Sequence, residues 1–403
     1  MKLKLHWQIL ISLVLGVIAG AVFGEKLLWI SFLGDLFLRL LKMIIVPLII
    51  ASIISGVTSV GSAEKLGKLG IKTFAFYISS SLLAILTGLV LVNIFKPGVG
   101  ADLGFSEAPT GLTTIDSPLD IIYRLIPTNP IASMADGDIL PIIFFCIFFG
   151  YFITKLPEKP RVEMTRLFNT FFSIMMKMTN VIIRLAPIGV FGLMVKIVAQ
   201  TGFSTFIPLL SYMAVVAGGI LIHGMVTLPL ILFFIARVHP IAFFRIMASA
   251  LTTAFSTASS SATLPLTIKS VGEKAGVSNK ISSFVLPLGS TINMDGTALY
   301  ECVAAMFIAQ AYGIDLSFTQ QMIVVVTALL ASIGAAGIPM AGLVMMTIIL
   351  NAVGLPLEGV GLIVGVDRVL DMMRTTVNVW SDSVGTVTIA RTESETLDPS
   401  LPL

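Results

Sequence analysis

The segment 367–382 carries more ionisable chemistry than its apolar surroundings would tolerate without a purpose. Asp367, Asp371, Arg374, Thr375, Asn378 and Asp382 lie at offsets 0, 4, 7, 8, 11 and 15. On a helix turning about 100° per residue they fall at roughly 0°, 40°, −20°, 80°, 20° and 60°, one stripe about 100° wide. Leu370, Met373, Val377 and Trp380 lie off that stripe. Arg374 offers a planar fork that matches a carboxylate bidentately, and Asp371, about one turn earlier, can take an ammonium. An α-amino acid with an acidic side chain presents one ammonium and two carboxylates. Arg374 can hold the side-chain carboxylate, leaving the α-carboxylate for backbone N–H groups near Ser260. The plainer reading is an Asp371–Arg374 pair that only glues helices together. Against it, three acids and one arginine exceed what one pair needs, and intramembrane charges usually serve function.

A second cluster is Asn293-Met294-Asp295-Gly296-Thr297, inside the apolar run 284–310. Asn and Asp beside Gly at that depth imply an unwound turn with exposed carbonyls, which together with carboxylates coordinate Na⁺ in broken-helix transporters. A plain kink would leave Asp295 as an uncompensated buried charge. Tyr77, Ser80 and Ser81 add hydroxyls at one-turn spacing, a weak signal alone because Ser in membrane helices is often packing glue. Glu301 closes the stretch and precedes the apolar run 302–311. A carboxyl that can be neutral at such a place is a candidate proton carrier, or simply a hydrogen-bonded structural group.

These groups need elements to position them, and composition names the solvent. The 403 residues are 56% hydrophobic and 12% charged, with a mean hydropathy of +1.00; a soluble domain carries about 25% charge. Apolar stretches long enough to cross a bilayer recur, among them 7–23, 73–95 and 206–235. The fold class is therefore an all-α polytopic membrane protein. The net charge of +3 is not clustered, so no nucleic-acid partner is indicated. Cys146 and Cys302 sit in apolar segments, which argues against a disulfide framework or a cysteine metal site.

Loop charges set the topology. Lys2 and Lys4; Lys65, Lys68 and Lys72; Lys155, Lys159, Arg161 and Arg166; Arg237; and Lys269, Lys274 and Lys280 fall in alternate loops. Between them, 97–127 is mostly acidic and 200–205 uncharged. Basic loops mark the cytoplasmic side, which puts the amino terminus inside.

Two apolar segments, 241–268 and 322–353, are interrupted by small residues with a Pro, at 256–265 and 334–342. Each reads as a re-entrant hairpin, the first entering from inside and the second from outside. From Pro265 to Asp295 is 30 residues and from Pro339 to Asp371 is 32. Matched Gly/Pro-broken segments in two halves point to an inverted-repeat transporter; two unrelated kinked helices are the simpler alternative.

Ser259-Ser260-Ser261 with Thr263-Leu264-Pro265, the 293–297 cluster, Gly334 to Gly342, and Asp371-Met372-Met373-Arg374-Thr375-Thr376-Val377-Asn378 together resemble the glutamate/aspartate transporter family, the dicarboxylate/amino acid:cation symporters that include the excitatory amino acid transporters. The resemblance covers essentially the whole chain. It implies an elevator-type homotrimer with eight transmembrane helices and two re-entrant hairpins. The scaffold would be 1–70 and 97–200, and the transport domain 71–96 and 201–403. It implies a multi-pass protein of the inner or plasma membrane with both termini cytoplasmic. The expected substrate is L-aspartate or L-glutamate, co-transported with Na⁺, with H⁺ and K⁺ as further candidate ions.

The same resemblance gives Arg374 the side-chain carboxylate and Asp371 the amino group. Thr297, Thr375 and Asn378 would complete the pocket, with Ser260, Ile338 and Gly342 at the hairpin tips. Sodium would use Gly289, Asn293, Asn378 and Asp382; then carbonyls of Thr291, Ser332, Ile333 and Ala335; then Tyr77, Ser80, Ser81, Asn293 and Asp295. Ala335 replaces a hydroxyl residue, but a carbonyl is what that site needs. Glu301 matches the position where proton-coupled members carry Glu. One departure stands out. The second arginine that members usually carry is replaced by Ala258 and Met372 at its two customary positions, so hairpin closure should differ energetically and release be faster.

Competing classes fare worse. A hydrolase lacks a placed base, since His6, His223 and His239 have no paired nucleophile in sequence. A channel does not need a substrate-shaped Asp/Arg pair. Within transporters, Arg374 counts against a neutral amino acid carrier and Asp371 against a C4-dicarboxylate carrier; a proton-coupled glutamate symporter stays open.

Overall fold

The computed structural model describes residues 5–59, 63–101, 126–136, 139–201, 206–334, 341–398 and 401. The expectations for Ala335 and Ile338 lie outside these residues. The described chain is helical: α1 (Leu5–Phe23), α2 (Phe32–Ser59), α3 (Ala63–Phe95), a short α4 (Pro130–Asp136), α5 (Ile139–Lys155), α6 (Glu158–Arg184), α7 (Ala186–Thr201) and α8 (Phe206–Ile222). There follow α9 (Pro240–Thr257), α10 (Ser260–Lys269), α11 (Asn279–Ile292), α12 (Asp295–Ala311), α13 (Phe318–Gly334), α14 (Ala341–Ala352) and α15 (Val360–Thr392).

Helix α3 shows which solvent the fold is built for. Tyr77, Ser80 and Ser81 are buried, whereas Ile78, Leu83, Val90 and Ile94 of the same helix are exposed. Water would reverse that arrangement; a bilayer favours it, because polar groups must be satisfied inside the protein. By length and composition, Ile11–Phe37, Lys68–Phe95 and Ile207–Ala236 can each cross a membrane. The helices on either side of the chain interruptions, α9 to α14, are shorter, whereas α3 and α15, which also carry polar groups, each run 33 residues.

Packing falls into two groups. In one, α1 lies along α7, and α2 packs on α5, α6 and α7. In the other, α3 packs on α8 and α12, while α9, α11 and α12 surround α15. Between the groups, α2 meets α13 and α14, and α7 meets α15.

The breaks are tighter than the sequence suggests. The first hairpin turns at Ala258 and Ser259 alone. Ala258 is left-handed, φ +50°, a conformation that costs an L-residue roughly 1–2 kcal/mol. Ser259 compensates, its Oγ accepting from Ala262 N at 3.2 Å to cap α10. Pro265, expected to be part of the break, lies inside α10. The α11–α12 break is likewise confined to Asn293 and Met294. Gly296 and Thr297, expected in an unwound turn, belong to the first turn of α12. Gly296 is required there for close approach: a Cβ would stand 2.7 Å from the Arg374 carbonyl oxygen and 2.8 Å from its Cα.

Past α8, wide helical turns at His223–Thr227 and Leu232–Ala236 flank Leu228–Ile231. Pro229 removes a backbone donor in this stretch, and such wide turns concentrate at functional sites. They place His223 against the site described next.

Candidate functional site

Helix α15 delivers the charge stripe. Arg374 is 1% exposed; its Nη1 donates to Asp367 Oδ1 and its Nη2 to Asp371 Oδ1, both at 2.8 Å. Its guanidinium lies over the Tyr300 ring, 3.7 Å from the centroid, a cation–π contact strengthened by burial. Arg374 Nε has no hydrogen-bond partner among the described residues. Gly342, at the start of α14, roofs this arginine: a Cβ there would sit 3.4 Å from Arg374 Cζ and from Thr297 Cγ2. The second hairpin, α12 and α15 therefore converge on one guanidinium.

Below it, Asn378 ties α15 to the α11–α12 break. Its Oδ1 accepts from Gly296 N at 2.8 Å and its Nδ2 donates to Thr297 Oγ1 at 3.1 Å. Thr375 is buried in the same layer. Ser260 begins α10, also buried.

A second polar layer surrounds Asn293 and Asp295. Asn293 Nδ2 donates to Asp382 Oδ1 at 3.0 Å and to Ser381 Oγ at 2.9 Å. Its Oδ1 is buried with no hydrogen-bond partner among the described residues, an acceptor still open to a cation. Gly289 packs against Asp382: a Cβ would come within 2.5 Å of Oδ1. Ser81 Oγ donates to Asp295 Oδ1 at 2.7 Å, and Ser80 Oγ donates to Oδ2. Tyr77 donates to the Val285 carbonyl at 2.7 Å and its hydroxyl lies beside Gly289. Hard oxygen donors of this kind suit an alkali cation. Among the expected carbonyl donors, Thr291 lies at the end of α11, and Ser332 and Ile333 in the last turn of α13; α11 packs on α13.

Glu301 is 0% exposed, and neither of its carboxyl oxygens has a hydrogen-bond partner among the described residues. It follows Tyr300, the residue whose ring meets the Arg374 guanidinium.

Four residues of this site escaped the sequence reading. His223 Nε2 lies 2.9 Å from Asp295 Oδ2, both side chains 0% exposed. Its signal was legible: an ionisable group within the apolar stretch 206–235 is functional by default, yet it was weighed only as an enzyme's base. Arg368 carried the same signal, an ionisable group on the apolar helix α15, and was passed over because it lies beside the stripe. Ser381 and Tyr300 had none, since their roles come from contacts between elements.

Buried charges meeting a helix break and two hairpins, inside an all-α multi-pass membrane protein, define a transporter whose binding groups sit where helices are interrupted. The chain belongs to the sodium:dicarboxylate symporter family, whose profile it matches over residues 5–392. It is 38% identical to the proton/glutamate-aspartate symporter of Escherichia coli strain K12, covering 97% of this chain and 93% of that relative. It is 38% identical to the proton/sodium-glutamate symport protein of Bacillus caldotenax, covering 98% and 96%. Excitatory amino acid transporter 3 of Mus musculus is 37% identical, covering 98% and 87%.

Proposed function

We propose that this protein is a secondary active symporter that takes up L-aspartate or L-glutamate with Na⁺, and moves a proton with its substrate. The observation that carries it is Arg374, fully buried between Asp367 and Asp371 with its Nε still without a partner among the described residues. A substrate side-chain carboxylate would take that fork, and its ammonium would take Asp371. The intrahelical pairs keep these charges compensated until the substrate arrives, because a lone charge at membrane depth costs about 3 kcal/mol or more. Thr297, Thr375 and Asn378 would line the pocket, with Ser260, Ile338 and Gly342 closing it.

Sodium would bind at Gly289, Asn293, Asn378 and Asp382, at Thr291, Ser332, Ile333 and Ala335, and at Tyr77, Ser80, Ser81, Asn293 and Asp295. The open Asn293 Oδ1, on an amide whose nitrogen is bonded to the Asp382 carboxylate, supports this. Asn378 would serve both the ion and the substrate layers, which is how the two loads become coupled, while Asn293 would link two of the ion sites.

The group of α1, α2, α5, α6 and α7 would be the scaffold of a homotrimer. The group of α3 with α8 to α15 would travel as the transport domain, in a cell membrane with both termini cytoplasmic. Coupling to protons alone is the second reading, favoured by the buried Glu301 carboxyl and by the printed name of the Escherichia coli relative. Radiolabelled aspartate and glutamate uptake into proteoliposomes, with Na⁺, H⁺ and K⁺ gradients imposed separately, tests both. Uptake driven by an inward Na⁺ gradient is expected; uptake indifferent to Na⁺ but driven by protons selects the second reading.

A further inference from the structure

Arg368 stands three residues before Asp371 on α15, its Nη1 3.7 Å from Asp371 Oδ2. Arg374 Nη2 holds the other oxygen, Oδ1, at 2.8 Å. The Asp371 carboxylate therefore has a guanidinium on each side. Helix geometry agrees: Arg368 falls at roughly 100° around α15, Asp371 at 40° and Arg374 at −20°, so the arginines flank the acid symmetrically. They are otherwise unlike. Arg374 is sealed in and bound to two acids, whereas Arg368 keeps 25% of its side chain exposed. At 3.7 Å it is close enough for ion pairing but too far for a hydrogen bond.

The charge balance shows what the second arginine does. Asp367, Asp371 and Arg374 together carry one net negative charge when ionised; Arg368 brings the cluster to zero. An acidic amino acid, with one ammonium and two carboxylates, brings a further negative charge. Without Arg368 an anion would have to enter an already anionic cluster in a medium that screens poorly. A neutral amino acid would meet no such opposition.

We propose that Arg368 is a specificity-determining residue: it neutralises the Asp371 side of the cluster so that a net-anionic amino acid can be accepted. Its contact with Asp371 is ionic rather than hydrogen-bonded, so it neutralises that side of the cluster without donating to the carboxylate. The inference rests on the acidic-amino-acid reading above.

The test compares L-aspartate with L-asparagine, its neutral isostere. In proteoliposomes, KM for labelled aspartate and the inhibition constant of asparagine are measured for the wild type, R368Q and R368K. R368Q should raise the aspartate KM about tenfold while leaving the asparagine constant within about twofold, and R368K should restore most of the preference. If R368Q does not accumulate, R368C can be modified in the assembled protein with an aminoethyl or a methyl methanethiosulfonate. Only the cationic adduct should restore aspartate preference. An aspartate/asparagine ratio unchanged in R368Q, or equal for the two adducts, overturns the inference. A wild type that does not distinguish aspartate from asparagine overturns instead the acidic-amino-acid reading on which it stands.

Discussion

Asn293 Nδ2 donates to Asp382 Oδ1 across 3.0 Å, joining the α11–α12 break to the middle of α15. The bond couples a backbone interruption to a carboxylate, and it leaves Asn293 Oδ1 facing inward with no hydrogen-bond partner among the described residues. Asp382 is one of the carboxylates proposed above as a cation ligand. Aspartate affinity measured by calorimetry is expected to rise steeply with Na⁺, and aspartate should tighten Na⁺ by the same factor, since linkage is reciprocal. Asp382→Asn should flatten that dependence. A wild-type affinity indifferent to Na⁺ would reject sodium coupling.

Gly289 offers a subtler perturbation of the same carboxylate. A Cβ at this position would stand 2.5 Å from Asp382 Oδ1 and 2.7 Å from the Tyr77 hydroxyl, so Gly289→Ala must displace one of them. The Na⁺ concentration for half-maximal aspartate binding should increase about tenfold, roughly 1.4 kcal/mol. Gly218→Ala is the control, because a Cβ there meets nothing within 4 Å and should help α8 by up to about 1 kcal/mol. Equal Na⁺ dependence in both variants would show that Gly289 is not part of the ion layer.

His223 braces the other carboxylate. With Ser80, Ser81 and Ser381 it belongs to the polar shell of Asp295. His223→Leu removes one partner from a buried charge and should weaken Na⁺ dependence, whereas His223→Gln can still donate and should be milder. Identical behaviour of the two variants would reduce His223 to a packing residue.

How far the sequence carries depends on which contacts are local. The stripe on α15 was legible because its members share one helix, where about 100° per residue turns spacing into direction. The first hairpin was legible because a run of small residues interrupts an apolar segment, and the chain turns there at Ala258 and Ser259; residues 335–340 of the second interruption lie outside the described residues. Break lengths were overestimated: Pro265 lies within α10, and Gly296 is there for the Arg374 backbone rather than to unwind the chain. His223 with Asp295, Ser80 with Ser381 and Arg374 with Tyr300 are contacts between elements 72, 301 and 74 residues apart in sequence. No periodicity encodes such pairs. The interval also hid Arg368, which is local but lies off the edge of the stripe.

Arg374 is the residue proposed to hold the substrate's side-chain carboxylate. Arg374→Cys should abolish aspartate binding and admit serine or alanine, because a charge-assisted bidentate partner is lost and a small neutral pocket remains. Breaking a buried pair commonly costs ~3–5 kcal/mol, so thermal unfolding of the purified variant should be followed alongside uptake. Retained aspartate affinity in a folded Arg374→Cys protein would remove the assignment.

Glu301 is the residue proposed to carry a proton with the substrate. It is fully buried, with no hydrogen bond to either carboxyl oxygen among the described residues. A carboxylate there would be an unpaired charge at membrane depth, which is costly. It sits beside Tyr300, whose ring carries the Arg374 guanidinium at 3.7 Å, so its charge state and the state of the substrate arginine are close enough to sense each other. A neutral Glu301 during the loaded crossing and an ionised one during the empty return would carry one proton per cycle. With a pH dye enclosed in proteoliposomes, aspartate uptake is expected to acidify the lumen. Glu301→Gln should abolish that signal and slow net uptake, because the empty return loses its proton step, while exchange of internal for external aspartate continues. If the wild type accumulates aspartate with no change in lumenal pH, Glu301 is a structural carboxyl and the protein runs on sodium alone.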